Sequence, residues 1–334
     1  MKKHINIPIF IPHLGCPNQC VFCNQRFISG VKEFDISSVR ETIDQIISTV
    51  SCDTECEIAF FGGSFTGIDR SLMINLLEIS REYLSSGKIS SVRCSTRPDY
   101  ISKEILEILK EYGVKTIELG LQSISDDVLV SCKRGHTSLD EKTSCELIKS
   151  FGFNLIGQMM IGLPSSTLKT EVETAEYIAS IADGARIYPT VVFKNTELCD
   201  LYDAGDYHPL TEDDAIYRGA EVLKIFLKNN IPVIRIGLCE SDNLSSEDSY
   251  KAGPNSPSLG EKIISKVYLD NLIDFFLRNS YSNEKITISV AKGWTSKAIG
   301  NKKTNVKTIK DKFNIKDINF IESEMLEKFE FRVI

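Results

Sequence analysis

Six short apolar runs alternate with segments of helical period through the first 193 residues, and this alternation restricts the fold more than any other feature. The runs lie at residues 5–12, 57–61, 91–95, 115–121, 153–161 and 185–193. Between them, residues 35–50, 71–84, 103–112, 139–151 and 168–181 repeat their apolar positions at three- and four-residue steps. Asp35 or Ser37 offers an N-cap for the first helix, and Gly113 and Gly152 close two of the others. Strand and helix in strict alternation predict a parallel sheet covered by helices. Polar and glycine-rich loops follow the strands. In parallel barrels that C-terminal face holds the active site.

The loop after the first run reads Cys16-Pro17-Asn18-Gln19-Cys20-Val21-Phe22-Cys23, and the next cysteine is Cys52. A structural zinc site closes with four protein ligands, and iron–sulfur clusters also usually take four thiolates. Three cysteines at a three-then-two spacing point instead to a four-iron cluster with one iron open to another ligand. The alternative is three free core thiols, which the polar Pro17-Asn18-Gln19 segment disfavours. The other seven cysteines (Cys52, Cys56, Cys94, Cys132, Cys145, Cys199 and Cys239) are scattered and read as packing or surface thiols. Ten cysteines without a secretory signal indicate a reducing, cytoplasmic setting, and no apolar run reaches the roughly 18–20 residues of a membrane span. A net charge of −7 argues against a generally nucleic-acid-binding surface while leaving room for a local basic patch.

The cysteine spacing, with the aromatic Phe22 before the last cysteine, resembles the radical S-adenosylmethionine (radical SAM) superfamily. Ser95-Thr96-Arg97-Pro98-Asp99-Tyr100, Glu118-Leu119-Gly120-Leu121-Gln122-Ser123, Lys133-Arg134-Gly135-His136-Thr137 and Arg186-Ile187-Tyr188-Pro189 narrow the resemblance to the radical SAM domain of the Elongator catalytic subunit family. No acetyltransferase domain is read after the barrel, so the likeness is to a shorter relative. The resemblance implies an α/β fold, a partial (β/α)6 barrel of the TIM type spanning residues 1–240; the residues at 241–334 read as a small α+β extension. It implies an enzyme that uses a [4Fe-4S] cluster on Cys16, Cys20 and Cys23 to cleave S-adenosylmethionine to a 5′-deoxyadenosyl radical. An electron donor such as flavodoxin or ferredoxin, and a transfer RNA or other RNA substrate, follow from the same likeness. Phe22 would shield the cluster.

The cofactor-binding positions expected from the resemblance are Gly62, Gly63 and Ser64 after the second strand, Ser95, Gln122, Arg134, Gln158 and Gly162. Ser64 stands where the superfamily commonly has an acid. Arg97-Pro98-Asp99 reads equally as a ligand contact or as a capped turn with a local ion pair, His136 as a solvated loop histidine, and Tyr188 as a core or cavity-lining tyrosine. In the C-terminal region, residues 261–277 read as a helix and 285–290 as a strand. A glycine–lysine turn, a helix to about 313 and a strand at 318–321 follow. That order resembles a reduced KH-type RNA-binding module with a degenerate loop, Gly300-Asn301-Lys302-Lys303. Lys297, Lys302, Lys303 and Lys307 are its candidate nucleic-acid contacts. Two other functions remain open: a radical SAM enzyme of small-molecule, porphyrin-like metabolism, and a non-catalytic iron–sulfur RNA-binding protein.

Overall fold

The computed structural model describes residues 4–11, 16, 20–23, 34–51, 53–238, 249–279, 281 and 285–334. The expected polar loop at 17–19, Cys52, Cys239 and most of the acidic stretch 240–250 lie outside them. The chain forms two compact units, Met1–Leu210 with Ile225–Asn255 and Thr211–Lys224 with Ser256–Ile334. Among the described residues no helix is long and apolar enough to cross a membrane.

The strands of the first unit are β1 (His4–Phe10), β2 (Glu55–Phe61), β3 (Ser91–Thr96), β4 (Val114–Gln122), β5 (Asn154–Ile161), β6 (Gly184–Pro189), the two-residue β7 (Val192–Phe193) and β8 (Val233–Ile236). All but β7 join one parallel sheet in the order β1-β2-β3-β4-β5-β6-β8, a curled partial barrel of the α/β class. A further short strand, β9 (Tyr250–Ala252), pairs antiparallel with β7. Between the strands run α1 (Ser38–Thr49), α2 (Arg70–Ser85), α3 (Lys103–Glu111), α4 (Asp126–Ser131), α5 (Ser138–Ser150), α6 (Leu168–Ile181) and α7 (Glu197–Ala204); α8 (Glu212–Lys228) follows in the chain, and its residues up to Lys224 belong to the second unit. In β4 only Lys115 is exposed and only Gln122 is half-buried; the other positions are buried, because a parallel strand is covered on both faces. Leu119 and Leu155 are wholly buried, as is Ile187, at the centre of this sheet.

Local chemistry sets the helix ends. Asp69 accepts from the backbone N–H of Ser71 and Leu72 at 2.9 and 3.1 Å and starts α2. Thr137 and Asp140 form a reciprocal capping box at α5. Gly113 and Gly152 take left-handed backbone just past α3 and α5, as expected of helix-closing glycines.

Three details depart from the sequence expectation. Ser37 is the N-cap of α1 but its side chain makes no capping bond; Asp35 accepts from Ser37 N at 2.9 Å and holds the turn before the helix. The run at 185–193 divides into β6 and β7 at Pro189, which has no N–H to continue a ladder. A seventh barrel strand, β8, follows Pro232; its four residues show no clean alternation, with Ile234 exposed and its neighbours half-buried, so no strand signal was legible.

The second unit contains α9 (Leu259–Arg278), β10 (Lys285–Ala291), α10 (Thr295–Ile299), α11 (Thr304–Phe313), β11 (Asp317–Ser323) and β12 (Phe331–Val333). β10 is central, parallel to β11 and antiparallel to β12. Tyr268, Leu272 and Phe276 of α9 pack with Ile286, Ile288 and Val290 of β10 and with Ile309 and Ile315. The expected helix, strand, helix and strand all form; β12 is additional.

Candidate active site

The loops after the strands of the first unit bring the cysteine segment against residues from three other strand ends. Cys16 Sγ lies 3.6 Å from Ser64 Oγ, in the loop after β2. Cys20 is buried, and its sulfur accepts from Arg97 Nη1 at 3.6 Å and from Arg134 Nη1 at 3.3 Å. Arg97 follows β3, and Arg134 lies between α4 and α5. Cys23 N donates to Cys20 O at 3.0 Å, and the segment is fixed further by Val21 N donating to Cys132 O at 3.2 Å. Val21 is buried with Val128, Leu163 and Leu198, and Phe22 packs against this apolar cluster.

Both arginines are themselves held. Arg134 Nη2 donates to Gly120 O at the end of β4, and Arg97 Nη2 donates to Arg134 O. Arg97 Nε and Nη2 clasp the Asp99 carboxylate at 2.9 and 3.1 Å, so the local ion pair and the sulfur contact occur together. Burial works to lower the Arg97 pKa, but Asp99 and the Cys20 and Cys16 sulfurs outweigh it and raise it. Burial likewise pushes Asp99 up, yet hydrogen bonds from His136 and Arg97 hold its carboxyl well below the ordinary range.

His136 corrects the sequence expectation of a solvated loop histidine. It is buried, with Nδ1 3.3 Å from Arg97 Nη2 and Nε2 3.0 Å from Glu141 Oε1. Burial opposes its protonation, while Asp99 and Glu141 favour it and raise its pKa. Glu141 is wholly buried, and burial pushes its carboxyl up to about 7 against the pull of His136. A pair of hydroxyls ties the β2 and β3 loops together: Thr66 Oγ1 and Thr96 Oγ1 are 2.6 Å apart and buried.

Beneath this rim the inward positions of the sheet carry charge. Glu118 is wholly buried on β4; it accepts from Arg93 Nη1 at 3.0 Å, Arg186 Nε at 2.7 Å, Arg186 Nη2 at 2.8 Å and Gln158 Nε2 at 2.9 Å. Arg93 also meets Glu57, which accepts from Ser91 Oγ at 2.8 Å. Strand register produces the ladder, because Ser95 is aligned with Glu118 and Gln158 with Arg186.

The expected cofactor positions are thus distributed over two levels. Gly62, Gly63, Ser64, Gln122 and Arg134 are at the rim. Gly62 has φ +100°, and a Cβ there would sit 3.1 Å from Ile11 N and O, so the loop needs glycine for its own backbone. Gln122 has φ 71° at an irregularity in β4, and its Oε1 is enclosed without a hydrogen-bond partner among the described residues. Ser95 and Gln158 belong to the ladder, 3.5 Å apart. Gly162 N donates to Glu171 Oε1 at 2.7 Å and Gly162 O accepts from Tyr207 at 2.6 Å, so both its polar groups are already engaged. In the second unit Lys302, Lys303 and Lys307 are exposed, whereas Lys297 is 5.2 Å from the Trp294 ring centre and 3.4 Å from Glu261. Cys56, Cys94, Cys132, Cys145 and Cys199 are buried, and burial raises each thiol pKa.

Glu118, Glu141 and the Thr66–Thr96 pair were not foreseen. Glu118 had a signal: a carboxylate inside an apolar strand is buried only with a partner, and Arg93 and Arg186 also sit inside strands. Glu141 had none, being one of several acids on an ordinary helical pattern.

Among the described residues no three His, Cys, Asp or Glu side chains converge on a single ion. The donor set fits a polynuclear cluster better than a lone zinc: three thiols on one short segment, two guanidiniums on one sulfur and an enclosed, partnerless amide oxygen nearby.

Comparison with known proteins agrees with this geometry. The radical SAM superfamily profile matches residues 10–178, and the radical SAM C-terminal domain profile matches residues 182–268. A tRNA uridine(34) acetyltransferase of Methanocaldococcus infernus is 36% identical over 126 residues, covering 36% of this chain and 23% of that protein. The chain therefore spans about a quarter of that relative's length. An uncharacterized protein of Methanocaldococcus jannaschii is 29% identical over 279 residues, covering 80% of this chain and 84% of its own. The solved structure of the archaeal M. infernus Elp3 with an N-terminal deletion (1–46) shares the fold at a TM-score of 0.64 and 20% identity, over 81% of this chain and 64% of that one. Cysteine spacing, strand-end loops and profile match coincide on the same half of the molecule, and the chain belongs to the radical SAM superfamily of enzymes.

Proposed function

We propose that the chain binds a [4Fe-4S] cluster on Cys16, Cys20 and Cys23 and uses S-adenosylmethionine to modify a base of transfer RNA in the reducing cytoplasm. The observation that carries the reading is the convergence of Ser64, Arg97 and Arg134, from three separate loops, on the cysteine segment. Transfer RNA enters through the relative named for acting on its uridine. When bound, the cluster and S-adenosylmethionine supply reductive cleavage of a C–S bond, with electrons from a donor such as flavodoxin or ferredoxin, and a carbon radical that abstracts hydrogen.

The chain's own residues position and tune. Arg97 and Arg134 hold the Cys20 sulfur, and N–H donors to sulfur shift a cluster's potential. Gln122 Oε1 offers an unused acceptor for a hydroxyl or ammonium group of the cofactor. Gly62 lets the loop before Ser64 pack against Ile11, and the Val21–Leu163–Leu198 cluster with Phe22 keeps water from one side of the segment.

Anaerobic reconstitution, reduction and an assay for 5′-deoxyadenosine, with and without transfer RNA, test the reading. We expect product from the wild type, stimulated by transfer RNA, and none from Cys20→Ala. A fully loaded protein that yields no product with either transfer RNA or a small-molecule extract would refute it.

A further inference from the structure

We propose that the turn Gly300-Asn301-Lys302-Lys303 and the adjoining face of α11 form a docking surface for the phosphate backbone of an RNA. The proposal rests on the transfer-RNA reading above and adds where the substrate is held. The turn joins α10 to α11 between the parallel neighbours β10 and β11. A short loop between two helices in a strand–helix–helix–strand core is the arrangement with which KH modules clamp nucleic-acid backbone.

The backbone of the turn is shaped without help from its lysine side chains. Gly300 has φ +81°, and a Cβ there would fall 2.7 Å from Thr304 Oγ1 and 2.9 Å from Asn305 Oδ1. Lys303 N donates to Gly300 O at 3.0 Å. The buried Asn305 anchors the start of α11, its Nδ2 donating to Ser265 O, Ser265 Oγ and Ala298 O at 2.9, 3.0 and 3.0 Å. Lys302 and Lys303 stand at φ 49° and 62°, a left-handed region that glycine and asparagine occupy more readily. Two adjacent lysines in that region, with their side chains in solvent, have no packing reason to be lysine.

The neighbouring lysines sharpen the contrast. Lys292 pairs with Glu324 at 2.7 Å, Lys297 with Glu261 at 3.4 Å and Lys310 with Asp317 at 3.4 Å. Lys302, Lys303 and Lys307 are exposed and make no side-chain ion pair, hydrogen bond or ring contact among the described residues. Lys303 is the residue just before α11, and Lys307 lies in the first turn of that helix. Between residues 292 and 316 Asp311 is the only acid, within a chain of net charge −7. A polyanion is repelled by most of such a protein and attracted where unpaired cations gather.

The test uses the full chain and fluorescently labelled transfer RNA, with anisotropy read at two salt concentrations. Lys302→Asn with Lys303→Asn removes both charges while suiting the left-handed backbone, so the variant folds at least as readily; thermal melting checks this. We expect affinity to fall about tenfold and the salt slope to drop by about one to two units, while Lys302→Arg with Lys303→Arg keeps both. Lys169→Glu with Lys228→Glu, exposed in the first unit, should leave binding nearly unchanged. Unchanged binding in the asparagine variant, or an equal loss in the first-unit control, overturns this surface while leaving the transfer-RNA reading in place. A wild type that binds no transfer RNA overturns both.

Discussion

Two pairs of arginines in the first unit do opposite work. Arg93 and Arg186 lie inside the barrel, each on a carboxylate: Arg93 on Glu57 and Glu118, Arg186 on Glu118. Arg97 and Arg134 lie at the strand ends and give N–H groups to a cysteine sulfur and to backbone carbonyls. The inner pair is matched by buried charge. Arg97 of the outer pair also meets a carboxylate, that of Asp99. Matched charge inside a sheet holds strands in register, whereas donors aimed at a sulfur prepare a ligand site. The difference teaches that the barrel keeps its matched ions one level below the cysteine segment.

The largest effect should come from breaking the inner pair. Among the described residues Glu118→Leu leaves Arg93 with Glu57 alone and Arg186 with no carboxylate, and removing one partner of a buried ion pair costs about 3–5 kcal/mol. We expect urea unfolding to show a loss of that size or a chain that does not fold; a change under about 1 kcal/mol would mean the ladder is better solvated than its burial implies.

A smaller structural effect, with a specific chemical one, should follow at the rim. Arg134→Met removes one of two donors to Cys20 and a charged donor to Gly120 O, and losing a hydrogen bond from a charged group costs about 1.5–3 kcal/mol. We expect the reconstituted variant to load iron but to titrate at a more negative midpoint potential in electron paramagnetic resonance, because hydrogen bonds to sulfur stabilise the reduced cluster. An unchanged potential would reduce Arg134 to a packing role and erase the contrast with Arg186.

The smallest effect is a pH dependence. Burial raises Glu141 from 4.5 to about 7. The folded chain thus binds this proton more tightly than the unfolded chain. That contribution to stability is fully present below about pH 4.5 and is lost as pH rises towards 7. His136 is raised as well and acts in the same sense at higher pH. Glu141→Gln should lose less stability than the wild type between these limits, read from urea midpoints across the range. Parallel curves would show that the His136–Glu141 pair titrates as it does in the unfolded chain.

Much of this was legible in the sequence. The six apolar runs gave five of the barrel strands within about two residues at each end, while the last run divided at Pro189. The glycines at 113 and 152 ended their helices because only a residue without a Cβ turns left-handed there at no cost. β8 was not legible, since four residues after a proline, half in solvent, carry no periodicity. His136 misled because loop position says nothing of burial; Glu141 on the next helix reaches it only after α5 has folded beside the loop.

The sequence by itself determined the alternation of strand and helix, the parallel sheet that alternation requires, and the three cysteines at the end of the first strand. These depend on periods and spacings within a few residues of one another. The tertiary structure alone decided that Arg97 and Arg134 share the Cys20 sulfur, that Glu118 stands between Arg93 and Arg186, and that Gln122 keeps an unused oxygen at the rim. Those meetings join residues tens of positions apart. Strand register and side-chain reach set them, and no local pattern encodes either.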